Sequence, residues 1–159
     1  DMSELQTIGR DETIAVDALV DEVMVDLEPL AQEKEIKLIG NCKDTTMVGS
    51  DILIYRMVYN LVENAIKYNH FGGQVTVTAY RKGKNICLSV EDTGSGFPAE
   101  LKERIFEPFF RVDKSRSRQL GGVGLGLALV HEIVRVHDGR ITVQSSPSGG
   151  TIFEVVFTQ

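Results

Sequence analysis

The chain has 159 residues, 42% of them hydrophobic, which suits a single domain built around one core. Its formal net charge of −6 argues against a general nucleic-acid-binding protein, and no apolar run approaches the ~20 residues of a membrane-spanning helix. The polar, acidic N-terminus lacks the pattern of a signal peptide. Cys42 and Cys87 have neither C-x-x-C spacing nor a nearby histidine pair, which favours a reducing compartment and no zinc site.

The first half of the chain predicts short strands that alternate with long helices. The segment "DMSELQTIG" has apolar residues three apart and is interpreted as the end of a helix that begins before residue 1. A short strand, "TIAV", follows. An apolar repeat of helical period then predicts a first long helix from Asp17, with Asp17 as its N-cap and Pro29 as a bend or an interruption. Two strands, "IKLIGNC" and "MVGS", precede a second long helix over residues 51–68.

The second half predicts two hairpins around a third long helix. The alternating stretch "QVTVTAYRKGKNICLSVED" is a hairpin, "FPAELKERI" is a short helix, and residues 105–121 have no clean period and are interpreted as a long loop. The helix "GVGLGLALVHEIVRVH" ends at Gly139, and a hairpin turned by "PSGG" closes the chain. This mixed order predicts an α/β two-layer sandwich, with a mixed sheet and three main helices on one of its faces.

Polar residues form one stripe along the second long helix. Asn60, Asn64, Lys67 and Tyr68 stand at i, i+4, i+7 and i+8, whereas the apolar residues around them can face the core. An amide oxygen is a neutral, hard ligand that suits Mg²⁺ beside phosphates, and a lysine one turn later can meet a phosphate as a point charge. The alternative is an ordinary solvated helix face.

The segment "EDTGSGFP" directly follows a predicted strand. A carboxylate at the end of that strand, Asp92, could accept a hydrogen bond from the exocyclic amine of adenine. Gly94 and Gly96 would allow the backbone and a base to approach closely. The alternative is a simple Asx-Gly turn.

Glycines also open the third long helix, in "GGVGLGL". Backbone amides without side chains at a helix start bind phosphate, and the alternative is close helix packing through glycine. The pattern is neither a dinucleotide fingerprint nor a P-loop. The preceding stretch from Arg104 to Arg118 holds five basic and two acidic residues, locally 5 − 2 = +3, together with Phe106, Phe109 and Phe110. This pattern indicates a mobile cover for an anion, with a solvated basic loop as the alternative.

Taken in order, these motifs resemble the ATP-binding catalytic domain of bacterial sensor histidine kinases, which has the Bergerat ATP-binding fold. "NLVENAIKY" resembles the N-box of that family, "EDTGSGFP" its first glycine box, "IFEPFFRVD" its F-box and "GVGLGLALV" its second glycine box. "GGTIFEV" resembles the glycine motif before the last strand. The resemblance runs from about Thr13 to Thr158, which is nearly the whole chain.

The resemblance implies that the domain binds ATP and Mg²⁺. Asn64 is then the Mg²⁺ ligand, supported by Asn60; Tyr68 packs near the adenine or ribose, and Asp92 accepts from the adenine amine. The catalytic positions are Asn60, Lys67, Arg111 and Lys114. The remaining nucleotide-binding positions are Gly94, Gly96, Phe97, Gly122, Val123, Gly124, Leu125, Gly126 and Thr151.

The resemblance also implies partners and a division of the chain. Residues 1–12 would end a preceding dimerisation and phosphoacceptor helix with its linker, and residues 13–159 would be the ATP-binding catalytic domain. The γ-phosphate would pass to a histidine on that preceding domain, since none of the three histidines here fits an acceptor motif. A response-regulator receiver domain would be the next partner, and nucleic acid would not be one. The isolated domain is expected to be monomeric, and the full kinase a homodimer, with this domain in the cytoplasm and a membrane-anchored sensor elsewhere in the protein.

Three other functions remain open on the sequence. A hydrolase of the gyrase or heat-shock chaperone type carries a glutamate one helical turn before the metal-binding asparagine, to activate water. Here that position is Asn60, and Glu63 lies about a quarter-turn from Asn64. An anti-sigma serine kinase and a non-catalytic nucleotide-binding scaffold are the other two.

Overall fold

The computed structural model describes residues 2–94 and 125–159. A 3₁₀ helix (Met2–Thr7) comes first, and the helices are α1 (Val16–Glu33), α2 (Asp51–Lys67) and α3 (Leu125–Val136). The strands are β1 (Glu12–Ala15), β2 (Lys37–Cys42), β3 (Thr46–Gly49), β4 (Gln74–Lys82), β5 (Asn85–Asp92), β6 (Arg140–Ser145) and β7 (Thr151–Thr158). Within these two ranges no helix has the length and apolar character that a bilayer crossing requires. The short helix and the long loop predicted after residue 96 lie outside the described residues.

Five strands form a mixed sheet in the order β2-β4-β5-β7-β6. The pair β2–β4 is parallel, and the other three neighbouring pairs are antiparallel. Strands β1 and β3 make a separate antiparallel ladder. The predicted α/β two-layer sandwich with a mixed sheet is therefore confirmed, and β5, which carries Asp92 at its end, lies in the middle of the sheet.

Helix α2 lies over the sheet and fixes where the polar stripe can be. Its buried residues recur with helical period, as the sequence predicted: Leu53, Ile54, Met57, Val58, Leu61, Val62, Ala65 and Ile66. Burying one large aliphatic side chain contributes about 1.5–3 kcal/mol, so this face determines the rotation of the helix about its axis. Asn60 and Asn64 are consequently held half-buried at the rim of the core.

Helix α1 begins one residue before the predicted start. Its N-cap is Ala15, which has no side-chain capping bond, so the predicted N-cap role of Asp17 is wrong. The N–H of Val16 instead donates to the carbonyl of Thr45, 2.8 Å away, so the backbone of the residue just before β3 takes the place of a capping side chain. The predicted interruption at Pro29 is absent because α1 continues to Glu33, and Pro29 lies on the exposed face, where water can bond the carbonyl that it leaves unpaired.

Helix α3 ends in a left-handed residue that is not the predicted glycine. Asp138 has φ +58°, and the N–H of Gly139 returns to the carbonyl of Val134 at 2.9 Å. Aspartate tolerates this conformation better than most non-glycine residues. Gly139 is required for a different reason: a Cβ built on it would lie 2.7 Å from the Phe157 ring.

Candidate functional site

The predicted stripe with Asn60 and Asn64 is present on α2, and the helix is continuous through both residues. The side-chain Nδ2 of Asn64 donates to the carbonyl of Asn60 at 2.9 Å, so its Oδ1 remains to accept from or ligate something else. A Cβ built on Gly126 would lie 3.5 Å from that Nδ2. The first turn of α3 therefore packs against the Asn64 amide, and the structure brings these two predicted residues together.

Lys67 lies one turn beyond Asn64 on the same stripe. Its ammonium is 3.8 Å from Oε2 of Glu63, an i,i+4 pair whose side chains are partly exposed. Such pairs contribute about 0.3–0.5 kcal/mol, so the contact is readily exchanged for a stronger anion. Tyr68 caps the helix, and its N–H donates to the Asn64 carbonyl at 3.0 Å.

Asp92 ends β5 and is buried, with only 6% of its surface exposed. Its Oδ1 accepts from the N–H of Gly94 at 2.8 Å and from the N–H of Thr151 at 3.3 Å. Both hydrogen bonds described for this carboxylate go to Oδ1, which leaves Oδ2 for a ligand. Burial raises the pKa of Asp92, an effect that the two backbone N–H donors partly offset.

Two glycines allow the chain to close tightly around Asp92. A Cβ on Gly94 would lie 2.6 Å from the carbonyl oxygen of Tyr68, and one on Gly150 would lie 2.0 Å from that of Asp92. No side chain fits at either position. The end of β5, the end of α2 and the turn before Thr151 are therefore in direct contact, and Asp92, Gly94, Tyr68 and Thr151 belong to one site.

Of the other predicted positions, only one falls within the described residues. Leu125 is the first residue of α3, and the following lie outside the described residues: Gly96, Phe97, Arg111, Lys114, Gly122, Val123 and Gly124.

One buried polar residue next to the site was missed in the sequence. Asn69 is 3% exposed, and its Nδ2 donates to the Gln74 carbonyl at 3.0 Å. Its Oδ1 accepts from the N–H of His70 at 2.9 Å and from the hydroxyl of Thr93 at 3.2 Å. The Thr93 hydroxyl oxygen in turn accepts from the N–H of Gln74 at 2.9 Å. A short polar network thus joins the end of α2 to the residue that follows Asp92.

A second missed residue, Lys34, comes from the C-terminal end of α1. Its ammonium donates to the carbonyls of Ile66, Lys67 and Asn69 at 3.1, 3.0 and 2.6 Å. Nothing in the sequence around Lys34 signals this contact, because its partners are more than 30 residues away. Asn69 carried a weak signal, since it directly follows the polar stripe of α2.

Comparisons with known proteins identify the family of the chain. Residues 49–159 match the family described as histidine kinase-, DNA gyrase B- and HSP90-like ATPase. The sensor-like histidine kinase SenX3 of Mycobacterium tuberculosis is 40% identical over 141 residues, which is 88% of this chain and 34% of SenX3. This chain thus spans about a third of the length of the curated relatives it matches.

Solved structures show the same fold. The nucleotide-free catalytic domain of histidine kinase ThkA superposes with a TM-score of 0.84 at 26% identity, over 94% of this chain and 96% of that one. ThkA in complex with the response regulator protein TrrA gives a TM-score of 0.78 at 25% identity, over 93% of this chain and 41% of that one. The chain belongs to the family of histidine kinase-, DNA gyrase B- and HSP90-like ATPases, and its catalytic domain is of the histidine-kinase type.

Proposed function

We propose that this domain binds Mg-ATP and transfers the γ-phosphate to a histidine on a separate helical domain. The observation that carries the proposal is the buried carboxylate of Asp92, with Oδ1 held by two backbone N–H groups and Oδ2 left over. An amine donor on the ligand suits Oδ2, whereas a carbonyl there would set two acceptors against each other. Adenine presents the amine, so the site favours ATP and ADP over guanine nucleotides.

The phosphates would lie along the stripe of α2. The Oδ1 of Asn64 points away from the hydrogen bond made by its Nδ2, and an amide oxygen is a suitable Mg²⁺ ligand. Mg²⁺ commonly keeps several waters and takes only one or two protein ligands beside substrate phosphates, so a single protein oxygen fits the ion. When bound, Mg²⁺ would neutralise charge on the outer phosphates, and Lys67 would exchange Glu63 for a phosphate.

The identity of the residue at position 60 favours transfer over hydrolysis. Asn60 stands one turn before Asn64, where a hydrolase needs a base, and an amide has no useful basicity. The nearby carboxylate of Glu63 faces Lys67 along the helix. An imidazole acceptor is itself a nucleophile, so phosphoryl transfer to histidine needs chiefly positioning and charge neutralisation from this domain.

The proposed partners follow from the same chemistry. The chain corresponds to about a third of its sensor-kinase relatives, which leaves room in such proteins for a histidine-bearing helical domain. We place residues 1–12 as the connection to that domain and residues 13–159 as the catalytic domain. A receiver domain would take the phosphate next, as the ThkA complex with a response regulator protein suggests by similarity.

The test uses labelled ATP. The domain alone should bind Mg-ATP, hydrolyse it very slowly and not label itself; a histidine-bearing helical hairpin, added as a separate polypeptide, should become labelled. The label should be acid-labile and base-stable, as a phosphoramidate is, and transfer should be inefficient because the reaction is bimolecular. Asp92→Asn should reduce labelling at limiting ATP in proportion to its lost affinity, whereas Glu91→Gln, the adjacent acid on the opposite face of β5, should not. Rapid phosphate release without labelling of the hairpin would support a hydrolase.

A further inference from the structure

The loop that leaves α2, residues 68–73, is held from two sides. On one side is the turn between α1 and β2, which contains Lys34. On the other side is the end of β5, which contains Asp92. Both neighbours bond to the loop directly, so the position of the loop relative to Asp92 depends on both.

On the first side, one ammonium bonds to three carbonyls, two from the last turn of α2 and one from the loop. The last turn of an α-helix has carbonyls without intrahelical donors and a partial negative charge. Lys34 has three N–H donors, and carbonyls of Ile66, Lys67 and Asn69 converge on them within 3.1 Å. The N–H of Gly72 also donates to the backbone carbonyl of Lys34 at 2.9 Å. The side chain of Lys34 therefore holds the start of the 68–73 loop, and its backbone carbonyl holds the end.

On the second side, the loop meets the residues around the base-recognising carboxylate. Asn69 accepts from the hydroxyl of Thr93, which is adjacent to Asp92 in the chain. The carbonyl of Tyr68 lies so close to Gly94 that a Cβ there would approach it to 2.6 Å. A shift of the loop would therefore move Tyr68 and Asn69 against the segment that holds Asp92.

We propose that Lys34 is a positioning residue of the nucleotide site. It touches no ligand; it sets the distance of Lys67 and Tyr68 from Asp92 by fixing the loop between them. The inference rests on the proposed nucleotide binding and adds a residue from the turn after α1, a part of the chain that contributes no predicted ligand contact. If Lys34 instead acted only as a helix cap, its loss would weaken the fold and leave affinity for nucleotide unchanged in the folded molecules.

The test is the variant Lys34→Met, for which calorimetry measures the ADP dissociation constant. The temperature is chosen so that near-ultraviolet circular dichroism shows every variant to be folded. Loss of groups that support ligand-contacting residues typically costs about tenfold to a hundredfold in affinity or activity, and we expect about tenfold or more here. Lys34→Arg should recover most of the lost affinity, because a guanidinium keeps the charge and several donors.

Two control variants distinguish an effect on the position of the loop from a general loss of folding stability. Ser50→Ala removes the side-chain cap at the opposite end of α2, which destabilises the same helix without touching the loop. Lys43→Met removes an exposed lysine elsewhere. Both should bind ADP as the wild type does.

The outcomes are distinguishable. Wild-type ADP affinity in a folded but less stable Lys34→Met variant would overturn the inference; if this variant does not fold, Lys34→Gln is judged by the same criterion. If the wild-type chain itself bound no ADP, the proposed function would be the idea that fails.

Discussion

The two ends of the proposed site are built in opposite ways. Around Asp92, backbone N–H groups, the buried amide of Asn69 and close glycine contacts fix each group before any ligand arrives. Along α2, the Asn64 side chain bonds the carbonyl of Asn60 on its own helix, and Lys67 has a weak, partly exposed pair with Glu63. The proposed base end around Asp92 is preorganised, whereas the proposed phosphate end on α2 presents an amide oxygen without a described partner and a lysine whose pair can be exchanged.

This difference indicates a division of labour. In the proposed function, a rigid carboxylate would select the base, which is the same in ATP and ADP. Groups on the helix would contact the phosphates, which differ between ATP and ADP. Substitutions at the base end should therefore affect both nucleotides, and those at the phosphate end should depend on Mg²⁺ and on the γ-phosphate.

The largest effect is expected at the phosphate end, from Asn64→Ala. Losing the proposed metal ligand and the phosphate geometry that would depend on it should weaken Mg-ATP binding by about 2–4 kcal/mol. The domain should stay folded, because Asn64 lies outside the buried face of α2. Calorimetry with and without Mg²⁺ measures the effect, and Asn41→Ala, on exposed β2, is the control. Unchanged Mg-ATP affinity in a folded variant would remove Asn64 from the metal site.

At the base end, Asp92→Asn should weaken ADP and ATP alike, by about 1–3 kcal/mol. The unliganded fold should become more stable at neutral pH. Because the folded pKa of Asp92 is raised, its favourable contribution is complete below pH 3.8 and is lost as pH rises through the folded pKa. A neutral amide avoids that loss. Chemical unfolding measures the stability, with Glu91→Gln as the control. Loss of ATP binding alone would assign Asp92 to the phosphates.

A contact at the N-terminal end of α2, away from the proposed site, should make the stability of the fold depend on pH while leaving both ends of the site intact. The Nε2 of His137 accepts from the N–H of Ser50 at 3.0 Å, and its Nδ1 lies 2.8 Å from the Ile133 carbonyl, so the ring is neutral with its proton on Nδ1. Burial lowers the pKa of His137, with Arg10 acting in the same direction and Asp138 against it.

The contribution of His137 to stability is therefore complete above pH 6.5 and is lost as pH falls through its folded pKa. Protonation costs the bond from Ser50, about 0.5–1.5 kcal/mol. Unfolding free energies measured from pH 8 to 5 should show this loss, and His137→Gln should remove it. The exposed His131→Gln serves as the control and should retain the slope. An unchanged slope in His137→Gln would contradict the assignment.

The smallest effect is expected from Glu63→Gln, which frees Lys67 from its pair. The stability lost should be about 0.3–0.5 kcal/mol. ATP affinity should stay the same or rise slightly, since Lys67 no longer has to leave a carboxylate. Glu132→Gln breaks a comparable pair with Arg135 on α3 and controls for the loss of one surface charge. A clear fall in ATP affinity would show that Glu63 itself contributes to the site.

Local patterns in the sequence predicted most of the fold. The helical period of α2 and the alternation in β4 and β5 depend on neighbours along the chain. All three elements begin and end within a residue of their predicted bounds. One error falls where a distant residue decides: the backbone carbonyl of Thr45 replaces the side-chain cap expected from Asp17.

The residues of the proposed site also divide into those with a local sequence pattern and those that depend on distant contacts. Asn60, Asn64 and Lys67 could be predicted as site residues because one helix carries all three at a readable spacing. Asp92 could be predicted because a strand ends there. Lys34 and Asn69 were missed because their partners are backbone carbonyls, which have no residue identity, and for Lys34 these lie 32 to 35 residues away. No periodicity encodes such a contact.

The double attachment of the 68–73 loop has a consequence for the entropy of binding. Confining one residue to a single backbone conformation costs about 1–2 kcal/mol. This loop is already confined by Lys34 on one side and by Thr93 and Gly94 on the other, so a base that docks beside it orders nothing further there. In the proposed function, adenine recognition would therefore need very few contacts, because little of its free energy would be spent on ordering this loop.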